Sequence, residues 1–97
     1  MSETNKHISW FATYEHDIIT DNTTVQLNGC SCIKFENIGT SIAKMGNVPL
    51  LPTDLPREYK NEPGTRIKGN FEISFQGGEN KMILVTKTYF QNNELYY

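Results

Sequence analysis

One stretch limits the possible folds more than any other. From Thr65 to Gln76 the apolar residues Ile67, Phe71, Ile73 and Phe75 share one parity. Arg66, Lys68, Asn70, Glu72, Ser74 and Gln76 fill the other. A period of two over that length belongs to a strand with one face in a core and one in water. No segment shows an apolar 3.6-residue period with caps, so an all-β chain is expected.

The remaining segments carry the same period. Ile8, Trp10, Ala12 and Tyr14 alternate with Ser9, Thr13 and Glu15, and Phe11 breaks the pattern by being apolar on the other parity. Asp17 to Thr20 and Thr23 to Leu27 are rich in β-branched residues and flank the turn dipeptide Asp21-Asn22. Asn28-Gly29 between strand-like runs reads as a hairpin, and Cys30 to Glu36 as the next strand with Ile33 and Phe35 on one face. Two turns this close predict a meander of short antiparallel strands.

Asn37-Ile-Gly-Thr40 interrupts that run, and Gly39 offers a backbone angle closed to β-branched residues. Ser41 to Met45 resumes a strand that Gly46-Asn47 ends. Gly77-Gly-Glu-Asn80 reads as a hairpin turn and Asn92-Asn93 as another. Between them, Met82, Leu84 and Phe90 lie on one parity and Ile83, Val85 and Tyr89 on the other. Apolar residues on both sides predict a strand covered twice. The expected fold is one domain, 1–97, an antiparallel β-sandwich of immunoglobulin-like or jelly-roll-like type with about seven to eight short strands. Its core should combine the alternating residues with Trp10, Ile33 and Phe35.

Composition excludes more than it suggests. The net charge of -2 draws the chain to neither nucleic acid nor an acidic membrane, so neither is an expected partner. No 18-residue apolar run exists that could form a membrane-spanning helix. The opening Met-Ser-Glu-Thr-Asn-Lys-His lacks the pattern of a cleaved leader, so synthesis in the cytoplasm without export by such a leader is expected. Cys30 and Cys32, two apart on one strand, suit a disulfide poorly and read as small reduced residues on one face. His7 and His16 are not at ligand spacing, so no metal or other cofactor is expected. Cys30 or Cys32 with His16 is the nearest approach to a nucleophile and base, and no set of residues fills all the catalytic roles. An enzyme is not expected.

Two segments read as contact surfaces. Pro49, Pro52, Pro56 and Pro63 punctuate a charged segment, Thr53 to Glu62, which therefore forms a loop or an edge element. Asp54, Arg57, Tyr59 and Lys60 are its candidate contact residues, because long exposed connections often carry function. Leu95, Tyr96 and Tyr97 bring large apolar area and polar tips to the end of the sequence. With Ile83, Val85 and Tyr89 they form the candidate interface of an oligomer.

The order Asn-x-Gly-Thr, Pro-Leu-Leu-Pro, Pro-Gly, long alternating strand, glycine turn and apolar strand, from Ile33 to Phe90, resembles small β-sandwich proteins of phage virions. Tail, fibre and head-decoration modules have this arrangement, and immunoglobulin-like adhesion domains share its turns. The virion resemblance implies assembly as the function, with other copies of the chain or other virion proteins as partners. It implies synthesis in the cytoplasm of a host cell and a final place in the virion. The adhesion resemblance implies instead a monomeric adhesion or carbohydrate-binding module.

Overall fold

The computed structural model describes residues 6–62 and 65–96, with side chains over 11–62 and 65–90. Eight strands are found among the described residues: β1 (Lys6–Ile19), β2 (Thr23–Cys30), β3 (Cys32–Asn37), β4 (Ala43–Met45), β5 (Val48–Leu50), β6 (Arg57–Lys60), β7 (Ile67–Phe75) and β8 (Ile83–Tyr96). They form two four-stranded antiparallel sheets, ordered β1-β8-β3-β6 and β2-β7-β4-β5. The fold is a small all-β sandwich.

Alternation places the core. Ile33 and Phe35 of β3 and Ile83 and Val85 of β8 point from the first sheet into the interior. Val25, Leu27, Met45, Leu50, Ile73 and Phe75 meet them from the second. Ile67 and Phe71 are half-buried against this cluster, so the parity read from the sequence holds along the whole of β7. Trp10 lies on β1 opposite Asn92, and its side chain falls outside the described residues.

The meander is not formed. Among the described strands, β4 and β5 are the one consecutive pair that hydrogen-bond to each other, turning at Gly46-Asn47. Elsewhere the chain crosses between sheets, because each sheet must cover the apolar face of the other. Asn28-Gly29 makes no hairpin: Gly29 (φ 115°) sits in a bulge where the register shifts between Asn28 and Cys30. A bulge bends and twists its strand. The chain then enters the first sheet, where the Ser31 N–H donates to the Thr88 carbonyl at 2.8 Å. Gly77 to Asn80 likewise turns, with positive φ at Gly77, Gly78 and Asn80, but carries the chain from the second sheet to the first.

Three further expectations are corrected. Cys30 and Cys32 do not share a strand, since Cys30 ends β2 and Cys32 begins β3; both are free thiols. Asn92-Asn93 makes no turn, because pairing with Trp10 and Ser9 holds both residues inside β8. Finally, β8 is covered by a second sheet on one face. On its other face Leu84 and Phe90 are half-buried beside neighbouring strands, and His16 Nδ1 lies 3.0 Å from Thr86 Oγ1.

Strand length determines the shape. β1 and β8 pair without a break from Lys6↔Tyr96 to Ile19↔Ile83, whereas β3 reaches along β8 only to Cys32↔Thr88. Lys6–Thr13 and Tyr89–Tyr96 thus form a two-stranded ribbon with no third strand among the described residues, about 26 Å long at roughly 3.3 Å per residue. The molecule measures 68 × 20 × 17 Å, with a radius of gyration of 17.6 Å. A compact domain of this length would have about 12.5 Å.

Candidate association surface

A two-stranded ribbon in water is marginal by itself, and three strands or a packed face are needed for independent stability. At its base the ribbon is tied to the sandwich. Lys87 Nζ lies 3.7 Å from Glu15 Oε1, and Thr13 Oγ1 donates to the Tyr89 carbonyl at 3.4 Å. Tyr89 packs half-buried against the core. Its phenol pKa is raised, first by burial and then by the Glu15 carboxylate, the Cys30 thiol and the Asp17 carboxylate. β1 presents apolar side chains to solvent on either side of this base: Phe11 on the ribbon is 50 % exposed, and Tyr14 and Ile18, where β3 also pairs with β8, are 65 % and 54 % exposed. Tyr14 and Ile18 share one parity and Phe11 has the other, so β1 exposes large apolar side chains on both faces of the sheet.

The expected interface residues separate into two groups. Ile83 and Val85 are 0 % and 1 % exposed, so they belong to the domain's own core and to no surface. Their parity faces the second sheet, and the outward parity of β8 is that of Leu84 and Phe90. Leu95 and Tyr96 lie on the ribbon opposite His7 and Lys6; their side chains, and Tyr97 entirely, fall outside the described residues. Sequence reasoning assigned no interface role to Phe11, Tyr14 or Ile18. The signal was Phe11, the apolar residue that broke the alternation of its strand.

The candidate contact segment is exposed throughout, but it is only partly a loop. Arg57–Lys60 is β6, the edge strand beside β3, with Phe35↔Arg57 and Cys32↔Lys60 at the ends of the pairing. Tyr59 also covers the core, its ring 5.5 Å from that of Phe71. Lys60 Nζ pairs with Glu58 Oε1 at 3.2 Å along the same strand. Asp54 closes the preceding turn by accepting from the Leu51 N–H at 3.1 Å. Leu50, Thr53, Asp54, Leu55 and Arg57 line a shallow hollow of about 640 Å³. Trypsin is expected to cut after Arg57 or Lys60 before it cuts after Lys34, Lys44 or Lys87, because β6 is short and at an edge. The order of fragments in a time course checks this, and first cleavage at Lys34 or Lys87 would contradict it.

The thiols and histidine are not gathered into a site. Cys30 is buried, and burial pushes its thiol pKa up, with the Lys87 ammonium opposing. Cys32 Sγ donates to the Asn61 carbonyl at 3.7 Å. His16 is on β1 and Cys32 on β3, with β8 between them. That places them two strand spacings apart, roughly 9–10 Å before any offset along the strands.

No family model, no curated protein and no solved structure matches this chain.

Proposed function

We propose that this chain is a non-enzymatic structural subunit that works by assembly, with a phage virion as its setting and a capsid or tail as its docking place. One observation carries the reading: a two-stranded ribbon extends past its third strand, and β1 leaves Phe11, Tyr14 and Ile18 open to solvent. A ribbon of that kind is stabilised by surface from another chain, and burying it offsets the cost of ordering it. The virion setting rests on the resemblance in turn order from Ile33 to Phe90.

Sedimentation of the full chain at high micromolar concentration tests the assembly. A mass at least twice 11.1 kDa is expected. Removing Leu95 to Tyr97 should lower that mass while leaving the β circular dichroism signature unchanged. A full chain that sediments as a monomer and is missing from purified virions would remove the subunit reading. The hollow beside Asp54 and Arg57 favours a second reading, a monomeric carbohydrate-binding module. That alternative predicts free removal of the same residues and glycan binding lost on Asp54→Ala.

A further inference from the structure

Four strands form the edges of the two sheets: β1 and β6 in the first, β2 and β5 in the second. An open edge offers unpaired N–H and C=O groups to other chains unless it is short, bulged, charged or interrupted by proline. β5 has three residues and its middle one is Pro49. β6 has four residues and follows Pro56. β2 carries the bulge between Asn28 and Cys30. β1 has none of these devices of length, bulge or proline: it runs fourteen residues without proline and in unbroken register with β8. Among the described strands it is the edge whose only such device is charge.

The order of charges along β1 selects what pairs with it. The strand begins Lys6-His7 and carries Glu15-His16-Asp17 near its other end. Two copies laid antiparallel, edge to edge, bring the Lys6-His7 end of each beside the Glu15–Asp17 stretch of the other. A parallel arrangement would bring the two acidic stretches together, and like charges across a ladder are unfavourable. We propose that the chain dimerises about a two-fold axis by antiparallel pairing of β1 with β1 of a second copy. This rests on the assembly reading above and names its partner and its edge. The β1-β8-β3-β6 sheets of the two copies then become one sheet of eight strands, with the closed symmetry most common among oligomers.

Geometry narrows the register. A two-fold axis normal to the sheet keeps corresponding faces on one side, so residues of equal parity pair. His7 then meets Glu15 of the second copy if the axis passes Phe11, and Asp17 if it passes Ala12. In either register the ribbon segment Lys6–Thr13, which lacks a third strand among the described residues, gains one from the second copy's β1. The element that is marginal alone is completed by another of its own kind.

Cross-linking of the full chain in a Cys32→Ser background tests this, since Cys30 is buried. Phe11→Cys and Ala12→Cys are oxidised at high micromolar concentration, with Ile18→Cys as the distant control. One of the first two should give a covalent dimer, because a self-paired residue sits about 4.5–5.5 Å Cα to Cα from its copy. Ile18→Cys should give none, being roughly 40–46 Å from its counterpart. Spin labels on Tyr14→Cys, at an exposed position, supply a measurement that disturbs the strand least. Their backbones should lie roughly 13–20 Å apart, and a separation above about 40 Å overturns the pairing. An oligomer that forms no disulfide at Phe11→Cys or Ala12→Cys overturns the β1 pairing and leaves the assembly reading standing. A monomer under these conditions overturns both.

Discussion

Phe35→Ala is expected to remove about 3–5 kcal/mol of stability, since Phe35 is the largest fully buried side chain among the described residues. Phe35 is 0 % exposed and stands in register between Val85 and Arg57 at the middle of the first sheet. Its ring lies 5.3 Å from that of Phe71 across the sandwich, tilted by 56°. Phe71 in turn meets Tyr59 on the edge strand, so one ring ties β3, β7 and β6 together. The short strands around it can collapse only a little, which leaves most of the emptied volume as cavity. A chain of this length has about 5–15 kcal/mol in all, so the variant should be close to unfolding at room temperature. Urea denaturation followed by circular dichroism checks the loss through the shift of its midpoint. A shift equivalent to less than about 1 kcal/mol would place Phe35 outside the core, against its burial.

What could be read from the residues, and what could not, follows from how locally each feature is encoded. The period of two in Ile67–Phe75 records burial at every second residue, so it gave strand, face and core together. Asn28-Gly29 and Gly77 to Asn80 record only a local backbone bend. The same positive φ serves a hairpin, a bulge or a crossing between sheets, and the choice depends on which distant strand needs cover. β6 left almost no period, because its residues are solvent-exposed and its ladder with β3 is made by backbone groups. Asn92-Asn93 has turn chemistry that fourteen paired residues override. On β8 the apolar residues of both parities showed that two faces exist. They could not show that Ile83 and Val85 face inward and Leu84 outward. The candidate surface was legible only as an irregularity, the apolar Phe11 on the polar parity of β1.

Gly39→Ala is expected to cost about 3 kcal/mol although no apolar surface is removed. Gly39 is not at a positive φ, so the angle expected from the sequence is not what requires glycine there. Space is. A Cβ on Gly39 would stand 1.8 Å from the Asn80 carbonyl oxygen and 2.8 Å from the Met82 nitrogen, both of them backbone atoms that cannot rotate aside. The segment from Ile38 to Ser41 lies against 77–82 as a strap. Ile38 and Gly39 donate to the Met82 carbonyl at 3.0 and 3.1 Å, and Thr40 donates to that of Asn80 at 3.0 Å. The Thr40 hydroxyl donates to the Glu79 carbonyl at 2.6 Å, and that of Ser41 to the Gly77 carbonyl. Buried Asn37 holds the strap from beneath, donating at 2.8 Å to the Ser41 and Leu50 carbonyls and accepting from the Gly39 N–H at 3.1 Å. A methyl at Gly39 must lift the strap and break several of these bonds at once, each worth about 1 kcal/mol. Gly29 gives the opposite case: its φ of 115° is strained for any other residue, but nothing lies within 4 Å of the added Cβ. Gly29→Ala should therefore cost only the backbone strain, about 1–3 kcal/mol, with no local opening. Amide hydrogen exchange separates the two mechanisms. Ile38, Gly39 and Thr40 should be protected in the parent and in Gly29→Ala, and should exchange freely in Gly39→Ala. Protection that survives Gly39→Ala would mean that the strap does not rest on 77–82.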